Sequence, residues 1–124
     1  MQELSDDIPY SEFRTVLIAD DDQQLLGLYN FFFRREGYEV ICAKDGYEAI
    51  KKFSVSNPDL VILDYDMPQI DGLTVATEIL RKNATSKKKT VVVMITANDK
   101  VRKEAEKVGV NLFFEKPISL VLSN

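Results

Sequence analysis

The chain of 124 residues contains no histidine and a single cysteine, Cys42. Without histidine there is no zinc site of the cysteine and histidine type and no serine–histidine nucleophile pair. One cysteine excludes an internal disulfide, so Cys42 is expected to pack as a small hydrophobic side chain. The apolar runs are only as long as a strand, and the N-terminus is acidic where a signal peptide would be basic. We therefore predict a cytoplasmic protein that does not span a membrane.

The length allows one domain, and the composition, 45% hydrophobic and 29% charged, is typical of a globular protein. Residues 1–14 show no periodicity and are predicted to form a flexible leader before a single domain at 15–124. This leader holds four acids and one arginine, so it carries −3 of the net charge of −4. The rest is nearly neutral and offers no general attraction to nucleic acid. The basic run 87–89 is interpreted as a solvated loop, because no aromatic residue is interleaved with it.

Short apolar runs alternate with amphipathic stretches along the chain. The predicted strands are 15–19, 38–43, 60–63, 90–95 and 111–115, and the predicted helices are 23–36, 46–56, 73–83 and 98–108. Strands that alternate with helices at this spacing favour right-handed crossovers and an α/β fold, a doubly wound parallel sheet with helices on both faces.

Polar side chains follow four of these strands. They are Asp20 and Asp21 after the first strand, Asp64 after the third, Thr96 after the fourth and Lys116 after the fifth. In open α/β sheets this edge is where ligands bind. Carboxylates a few ångströms apart repel by roughly 4 kcal/mol per pair at an effective dielectric constant near 20, so a cation is implied. Mg²⁺ suits best, because it takes one or two carboxylates and completes its shell with water and phosphate oxygens.

With a magnesium ion bound, one carboxylate oxygen can attack a phosphoryl group, because this reaction needs mainly positioning and neutralisation of charge. The ammonium of Lys116 and the hydroxyl of Thr96 would neutralise the phosphoryl oxygens. Taken singly, each of these residues has an ordinary structural explanation, such as a helix N-cap for Asp22. The combination points to phosphoryl chemistry.

Over residues 15–117 the chain resembles the receiver domain of two-component response regulators. The motifs that carry the resemblance are the acid pair Asp20-Asp21, the phosphoacceptor segment from Asp64 to Met67-Pro68, Gly72 eight residues after Asp64, Thr96, and Lys116-Pro117. The resemblance implies a flavodoxin-like strand order, 2-1-3-4-5. It also implies a domain that accepts a phosphoryl group from a histidine kinase or phosphotransfer protein and then changes conformation. Beyond its own phosphorylation and dephosphorylation such a domain is not an enzyme.

By the same resemblance, Asp64 accepts the phosphoryl group and contacts the metal. Asp21 binds Mg²⁺ directly, Asp20 binds it through water, and Asp66 offers its backbone carbonyl. Thr96 and Phe113 form the switch, in which the ring turns inward when the hydroxyl moves to the phosphate. The Lys116–Pro117 peptide bond is expected to be cis. The residues do not identify the downstream effector.

Two features depart from, or add to, the family pattern. Only residues 118–124 remain for a fifth helix, which we expect to be short or incomplete and to leave apolar surface of the sheet poorly covered. The first helix carries three consecutive aromatic residues, Phe31 to Phe33, which cannot all face the core. We place Leu28 and Phe32 near the centre of its apolar stripe and predict that Phe31 points away. Phe31 either packs partly against the last helix or anchors the phosphodonor partner.

Two alternatives belong to other classes. A phosphohydrolase of the haloacid-dehalogenase type would use Asp64 and Asp66 as its Asp-x-Asp motif, again with Mg²⁺. That motif normally opens the chain, whereas here an acid pair precedes it and little room remains for a cap. A binding module with an unused site would have lost Asp21, Asp64 or Lys116, and all three are present.

Overall fold

The computed structural model describes residues 2–3 and 14–119. Five parallel strands form one sheet: β1 (Thr15–Ala19), β2 (Glu39–Ala43), β3 (Leu60–Leu63), β4 (Val91–Thr96) and β5 (Leu112–Glu115). Their order across the sheet is β2-β1-β3-β4-β5, which is the 2-1-3-4-5 order that the resemblance implied. At the carboxyl edge, Ala19 of β1 pairs with Ala43 of β2 and Leu63 of β3. The residues that follow β1 and β3 therefore leave the sheet side by side.

Four α-helices connect the strands within the described residues: α1 (Gln23–Arg35), α2 (Gly46–Ser56), α3 (Gly72–Asn83) and α4 (Arg102–Val108). The first three begin at an aspartate whose side chain accepts a hydrogen bond from a backbone N–H of the first turn. These N-caps are Asp22, Asp45 and Asp71, so the N-cap interpretation of Asp22 is confirmed. Such a cap stabilises a helix by about 1 kcal/mol. No helix in residues 14–119 is long and apolar enough to cross a membrane.

The core lies on both faces of the sheet. On one face α1 packs its aromatic side chains Tyr29, Phe32 and Phe33 against the strands. On the other face α2, α3 and α4 cover residues such as Leu63 and Met94. Cys42 is half-buried and packs against the buried side chains on the α1 face of the sheet, as expected.

The rotation of α1 differs from our prediction at one position. Leu28, placed near the centre of the apolar stripe, is 60% exposed, whereas Leu26 is buried beside Tyr29 and Phe33. The leucine and aromatic side chains of α1 spread over more than half of the helix circumference, so its periodicity alone does not fix which of them meet the sheet. Phe31 is 58% exposed, which confirms that it points away from the core.

The region after β4 also differs in detail. We predicted one helix over 98–108, but a 3-10 turn (Asp99–Val101) precedes the shorter α4. The strand includes Thr96 and begins after Thr90, whose buried hydroxyl donates to the carbonyl oxygen of Pro58 at 2.8 Å. The backbone N–H of Thr90 donates to Oδ1 of Asn83 at 3.1 Å and its carbonyl oxygen accepts from Nδ2 of Asn83 at 2.7 Å, so the Asn83 side chain takes the place of the ladder bonds that the predicted strand would give Thr90.

Residues near the two ends of the chain form a small parallel pair, Gln2–Glu3 with Ile118–Ser119. Ile118 and Ser119 are thus extended where we had expected a short helix to start, and residues 120–124 of that predicted helix lie outside the described residues. The flexible leader at 1–14 also falls mostly outside them and stays a prediction. The prediction that apolar surface of the sheet is poorly covered is wrong for the described strands, because Val93, Ile95 and Phe114 are buried on the α1 face of the sheet.

Candidate functional site

Three carboxylates meet at the carboxyl edge of β1 and β3. One oxygen from each of Asp20, Asp21 and Asp64 lies within 4.8 Å of the others. Asp20 is 2% exposed and Asp64 is 7% exposed, whereas Asp21 is exposed to solvent. The sequence predicted this cluster, because it follows from two adjacent parallel strands that each end in acid residues.

The backbone fixes Asp64 in position. Its N–H continues the pairing with β1 by donating to the carbonyl oxygen of Ala19 at 3.0 Å. Gly72, the first residue of α3, lies directly against it: a Cβ at Gly72 would overlap the Asp64 carbonyl group and the Cα atom of Tyr65. The N–H of Gly72 donates to the carbonyl oxygen of Tyr65 at 2.9 Å. Glycine is needed here because the start of α3 packs against the phosphoacceptor segment.

Asp20 is held by its neighbours on both sides. Its N–H donates to the carbonyl oxygen of Ala43 at 3.1 Å, and its Oδ1 accepts from the N–H of Asp22 at 2.9 Å. Asp22 in turn caps α1. The segment between β1 and α1 is therefore a tight turn that presents Asp21 to solvent beside the two buried carboxylates.

Lys116 bridges the two buried acids. Its Nζ lies 2.9 Å from Oδ2 of Asp20 and 3.2 Å from Oδ2 of Asp64. Its backbone N–H donates to the carbonyl oxygen of Thr96 at 2.8 Å, which fixes the end of β5 against β4. The Lys116–Pro117 peptide bond is cis, as the resemblance predicted.

Burial and neighbouring charges shift the pKa values of Asp64 and Lys116. Burial raises the pKa of Asp64, and the charge of Asp20 raises it further, while Lys116 and a hydrogen bond with Thr96 act in the opposite direction. For Lys116, burial lowers the pKa, but the hydrogen bond to Asp20 and the charge of Asp64 outweigh it, so the net shift is upward. The ammonium thus stays charged and partly compensates two carboxylates that would otherwise repel each other.

The donor set fits a hard divalent cation. All three side chains offer carboxylate oxygens, which are the ligands that Mg²⁺ prefers, and the exposed Asp21 leaves one side open to solvent and to phosphate oxygens. The side chain of Asp66 is exposed, and its backbone N–H approaches Oδ1 of Asp64 at 3.4 Å. Asp66 therefore borders the site with its backbone, where the resemblance placed a carbonyl ligand.

Thr96 and Phe113 lie on neighbouring strands near the same edge. The hydroxyl of the fully buried Thr96 acts to lower the pKa of Asp64, and its Oγ1 accepts from the N–H of Asn98 at 3.2 Å. Phe113 is buried in the core on the face of α2, α3 and α4.

Phe31 is elsewhere, on the outer side of α1, where the Arg35 guanidinium lies 5.6 Å from its ring centroid.

Sequence reasoning missed two residues near the site. Tyr29 is buried, and its hydroxyl has no hydrogen-bond partner within residues 14–119. The charges of Asp20, Asp64 and Asp22 act on it. The available signal was its spacing of seven residues, two helical turns, from the N-cap Asp22. Arg102 lies over the ring of Phe113, with 4.5 Å between the guanidinium carbon and the ring centroid. No sequence pattern indicated that contact.

The chain matches known proteins over most of its length. A sequence model of the response regulator receiver domain matches residues 16–121. The alkaline phosphatase synthesis transcriptional regulatory protein PhoP of Bacillus subtilis (strain 168) is 33% identical over an alignment of 111 residues, and the match covers 86% of this chain and 43% of that protein. This chain therefore spans less than half the length of that curated relative.

Solved structures give the same result. The response regulator TrrA of Thermotoga maritima, in complex with Mg²⁺ and BeF, is 37% identical with a TM-score of 0.73, covering 83% of this chain and 86% of that one. A CheY-like receiver domain protein of Methanospirillum hungatei JF-1 has a TM-score of 0.79 at 21% identity, covering 86% of this chain and 84% of that one, and this likeness concerns the fold. None of these matches supports the hydrolase alternative. The chain belongs to the response regulator receiver family, whose domains act in the phosphorelays of two-component signalling.

Proposed function

We propose that Asp64 is the residue of this receiver domain that accepts the phosphoryl group, in a reaction that depends on Mg²⁺. The proposal rests on the groups that surround the carboxylate of Asp64. Asp20 and Asp21 contribute oxygens within 4.8 Å of it, and the ammonium of Lys116 lies 3.2 Å from its Oδ2. A carboxylate in this setting has a cation site on one side and a fixed positive charge on the other.

In the proposed step, a carboxylate oxygen of Asp64 forms a bond to phosphorus while the bond from phosphorus to the donor's imidazole nitrogen breaks. Phosphoryl transfer of this kind needs in-line positioning and neutralised equatorial oxygens more than covalent chemistry by the protein. Lys116 would pair with one phosphoryl oxygen and Thr96 would donate its hydroxyl hydrogen to another. Bound Mg²⁺ would neutralise charge on the same group.

We infer that the acids differ in how they bind the metal, some directly and one through water. Asp21 is exposed, so its carboxylate is free to bind Mg²⁺ directly together with Asp64 and the backbone carbonyl of Asp66. Asp20 accepts from the N–H of Asp22 at 2.9 Å through Oδ1 and from Lys116 at 2.9 Å through Oδ2. The corresponding contacts of Asp64 are longer, at 3.4 and 3.2 Å, which supports an indirect role through a water molecule for Asp20 and not for Asp64. Thr96 and Phe113 would act as the switch that follows phosphorylation.

The remaining parts of the proposal concern the setting. The phosphodonor is a histidine kinase or phosphotransfer protein that docks on α1, with the exposed Phe31 as an anchor, and the domain works in the cytoplasm. Phosphorylation and dephosphorylation at Asp64 are catalysed by the domain itself, without turnover of any other substrate.

Acetyl phosphate, a small donor, tests the proposal without a partner protein. We expect intact-protein mass spectrometry to show one added phosphoryl group in the presence of Mg²⁺ and none after chelation of the metal. Asp64→Asn should abolish the addition, whereas Asp99→Asn, which changes an exposed aspartate outside the carboxylate cluster, should keep it. Asp21→Ala should weaken Mg²⁺ binding while the protein stays folded. Equal phosphorylation of Asp64→Asn and the wild type would overturn the proposal.

A further inference from the structure

The stacking of Arg102 on Phe113 joins the start of α4 to β5. The guanidinium carbon lies 4.5 Å from the ring centroid, and Arg102 is itself partly buried. Among the described residues Arg102 forms no salt bridge, so the ring is the contact that its charge makes. A cation over the face of an aromatic ring is attracted by the ring quadrupole.

Helix stability does not explain a cation at this position. Arg102 is the first residue of α4, and the N-terminal end of a helix favours negative charge over positive. Val101, in the N-cap position of α4, makes no side-chain cap hydrogen bond, and the side-chain cap of this stretch is Asn98, at the start of the preceding 3-10 turn. The side chain is therefore better explained by what it touches than by the helix to which it belongs.

The chain between Thr96 and Arg102 is short and internally bonded. The N–H of Asn98 donates to Oγ1 of Thr96 at 3.2 Å, and Oδ1 of Asn98 accepts from the N–H of Lys100 at 3.1 Å. A 3-10 turn then leads directly into Arg102. Thr96 is consequently fixed at one end of this segment, residues 97–101, and the Arg102 contact fixes the other end.

We propose that Arg102 is a positioning residue for the phosphorylation site: by stacking on Phe113 it fastens the segment 97–101 against β5 and keeps the Thr96 hydroxyl directed at Asp64. The inference rests on the proposed function of Asp64 and adds a residue to it. Arg102 does not touch the reacting atoms, so it acts through Thr96.

The inference predicts a limited but specific loss. If the contact is lost, part of the population leaves the arrangement in which Thr96 faces Asp64, and the apparent affinity for a phosphoryl analogue falls by that fraction. A cation–π contact of ordinary strength at a partly exposed site corresponds to a loss of about two- to fivefold.

The test compares three variants for binding of beryllofluoride with Mg²⁺, an analogue of the aspartyl phosphate, by isothermal titration. Arg102→Gln should bind about two- to fivefold more weakly than the wild type. Lys103→Gln, which removes the same charge from the next, exposed position of α4, should bind like the wild type. Arg102→Lys should recover part of the loss, because an ammonium still lies near the ring. Equal affinity of Arg102→Gln and the wild type would overturn the inference.

A double-mutant cycle separates positioning from general damage. Thr96→Val removes the hydroxyl at nearly constant volume, and in that background Arg102→Gln should have no further effect on analogue affinity, because the group that it positions is gone. A full additive loss in the double variant would contradict action through Thr96. Urea unfolding of each variant shows whether the fold is kept.

The outcome for the wild type distinguishes this inference from the proposed function. A wild type that does not bind the analogue at all contradicts the role of Asp64 itself. A wild type that binds it, with Arg102→Gln unchanged, contradicts only the role of Arg102.

The chain contains no tryptophan, so Phe113→Trp provides a single fluorescent reporter of the ring. Its emission should shift toward that of exposed indole when Arg102→Gln is added, and an unchanged spectrum would contradict the stacking.

Discussion

The buried carboxylate of Asp64 has two charged neighbours, Asp20 and Lys116, which shift its pKa in opposite directions. Burial and the charge of Asp20 raise its pKa above the ordinary value of 3.8, although Lys116 partly opposes them. The folded state therefore holds the Asp64 proton more tightly than the unfolded state does. The stability that this proton provides is complete below pH 3.8 and is lost as the pH rises through the raised pKa.

We expect Asp64→Asn, in the absence of metal, to unfold at higher urea concentration than the wild type at about pH 7, because asparagine removes a charge that is repelled there. The difference should shrink as the pH falls toward 3.8, where the wild-type carboxyl is protonated. Urea unfolding followed by circular dichroism at a series of pH values measures it. Asp66→Asn is the control, since its side chain is exposed. A lower urea midpoint for Asp64→Asn than for the wild type at neutral pH would contradict the sign of the shift.

Tyr29 is a second buried group affected by the acids. Its hydroxyl is buried without a hydrogen-bond partner in the part of the chain that the structure describes. Burial raises its pKa, and the charges of Asp20, Asp64 and Asp22 raise it further. An unsatisfied buried hydroxyl costs about 1 to 3 kcal/mol of stability.

We therefore expect Tyr29→Phe to increase the free energy of unfolding by about 1 kcal/mol, because the ring remains and the unsatisfied hydroxyl is removed. Tyr47→Phe, on an exposed side chain, should change it little. Urea unfolding at neutral pH measures both. A clear loss of stability in Tyr29→Phe would show that the hydroxyl makes a hydrogen bond in solution.

At the scale of elements, α1 buries one side against the sheet and exposes apolar residues on the other. Tyr29, Phe32 and Phe33 are buried, while Leu28 and Phe31 are each more than half exposed. Large exposed aromatic side chains are typical anchors of protein interfaces. The helix begins at Gln23, directly after its N-cap Asp22 and the acid pair, so its N-terminal end adjoins the candidate site and Phe31 lies about two turns further along.

We expect Phe31→Ala to slow phosphotransfer from a histidine-phosphorylated partner and to leave phosphorylation by acetyl phosphate unchanged, because the ring lies outside the site. The loss of a buried interface anchor costs about 2 kcal/mol, or roughly thirtyfold in affinity. Transfer of radioactive phosphate from the partner measures the effect. Val55→Ala, another highly exposed apolar residue but on α2, is the control. Equal slowing with both donors would show damage to the site and not to docking.

The elements differ in how far the sequence predicts them. The strand ends were predictable, and with them the meeting of Asp20, Asp64 and Lys116, because parallel strands deliver their carboxyl ends to one edge. The rotation of α1 was not, since Leu25, Leu26 and Leu28 are equally apolar and only the sheet selects Leu26. The break before α4 depends on a local hydrogen bond of Asn98, and the stacking of Arg102 depends on tertiary contact. Neither leaves a periodic signal in the sequence.

At the scale of the whole molecule, the site exists only when the sheet is complete. Lys116 is 96 residues from Asp20 and 52 residues from Asp64 along the chain, yet its ammonium contacts both carboxylates. Four strands and the turns after them contribute to it. Phosphorylation at this site therefore reports the native fold as well as the chemistry of single residues.

The most direct measurement is to locate the phosphoryl group. After reaction with acetyl phosphate and Mg²⁺, borohydride reduces an aspartyl phosphate to homoserine, which peptide mass spectrometry identifies by position. We predict homoserine at the position of Asp64 in the wild type and at no position in Asp64→Asn. Homoserine in place of another aspartate of the wild type, with Asp64 unmodified, would contradict the assignment of Asp64 as the phosphoacceptor.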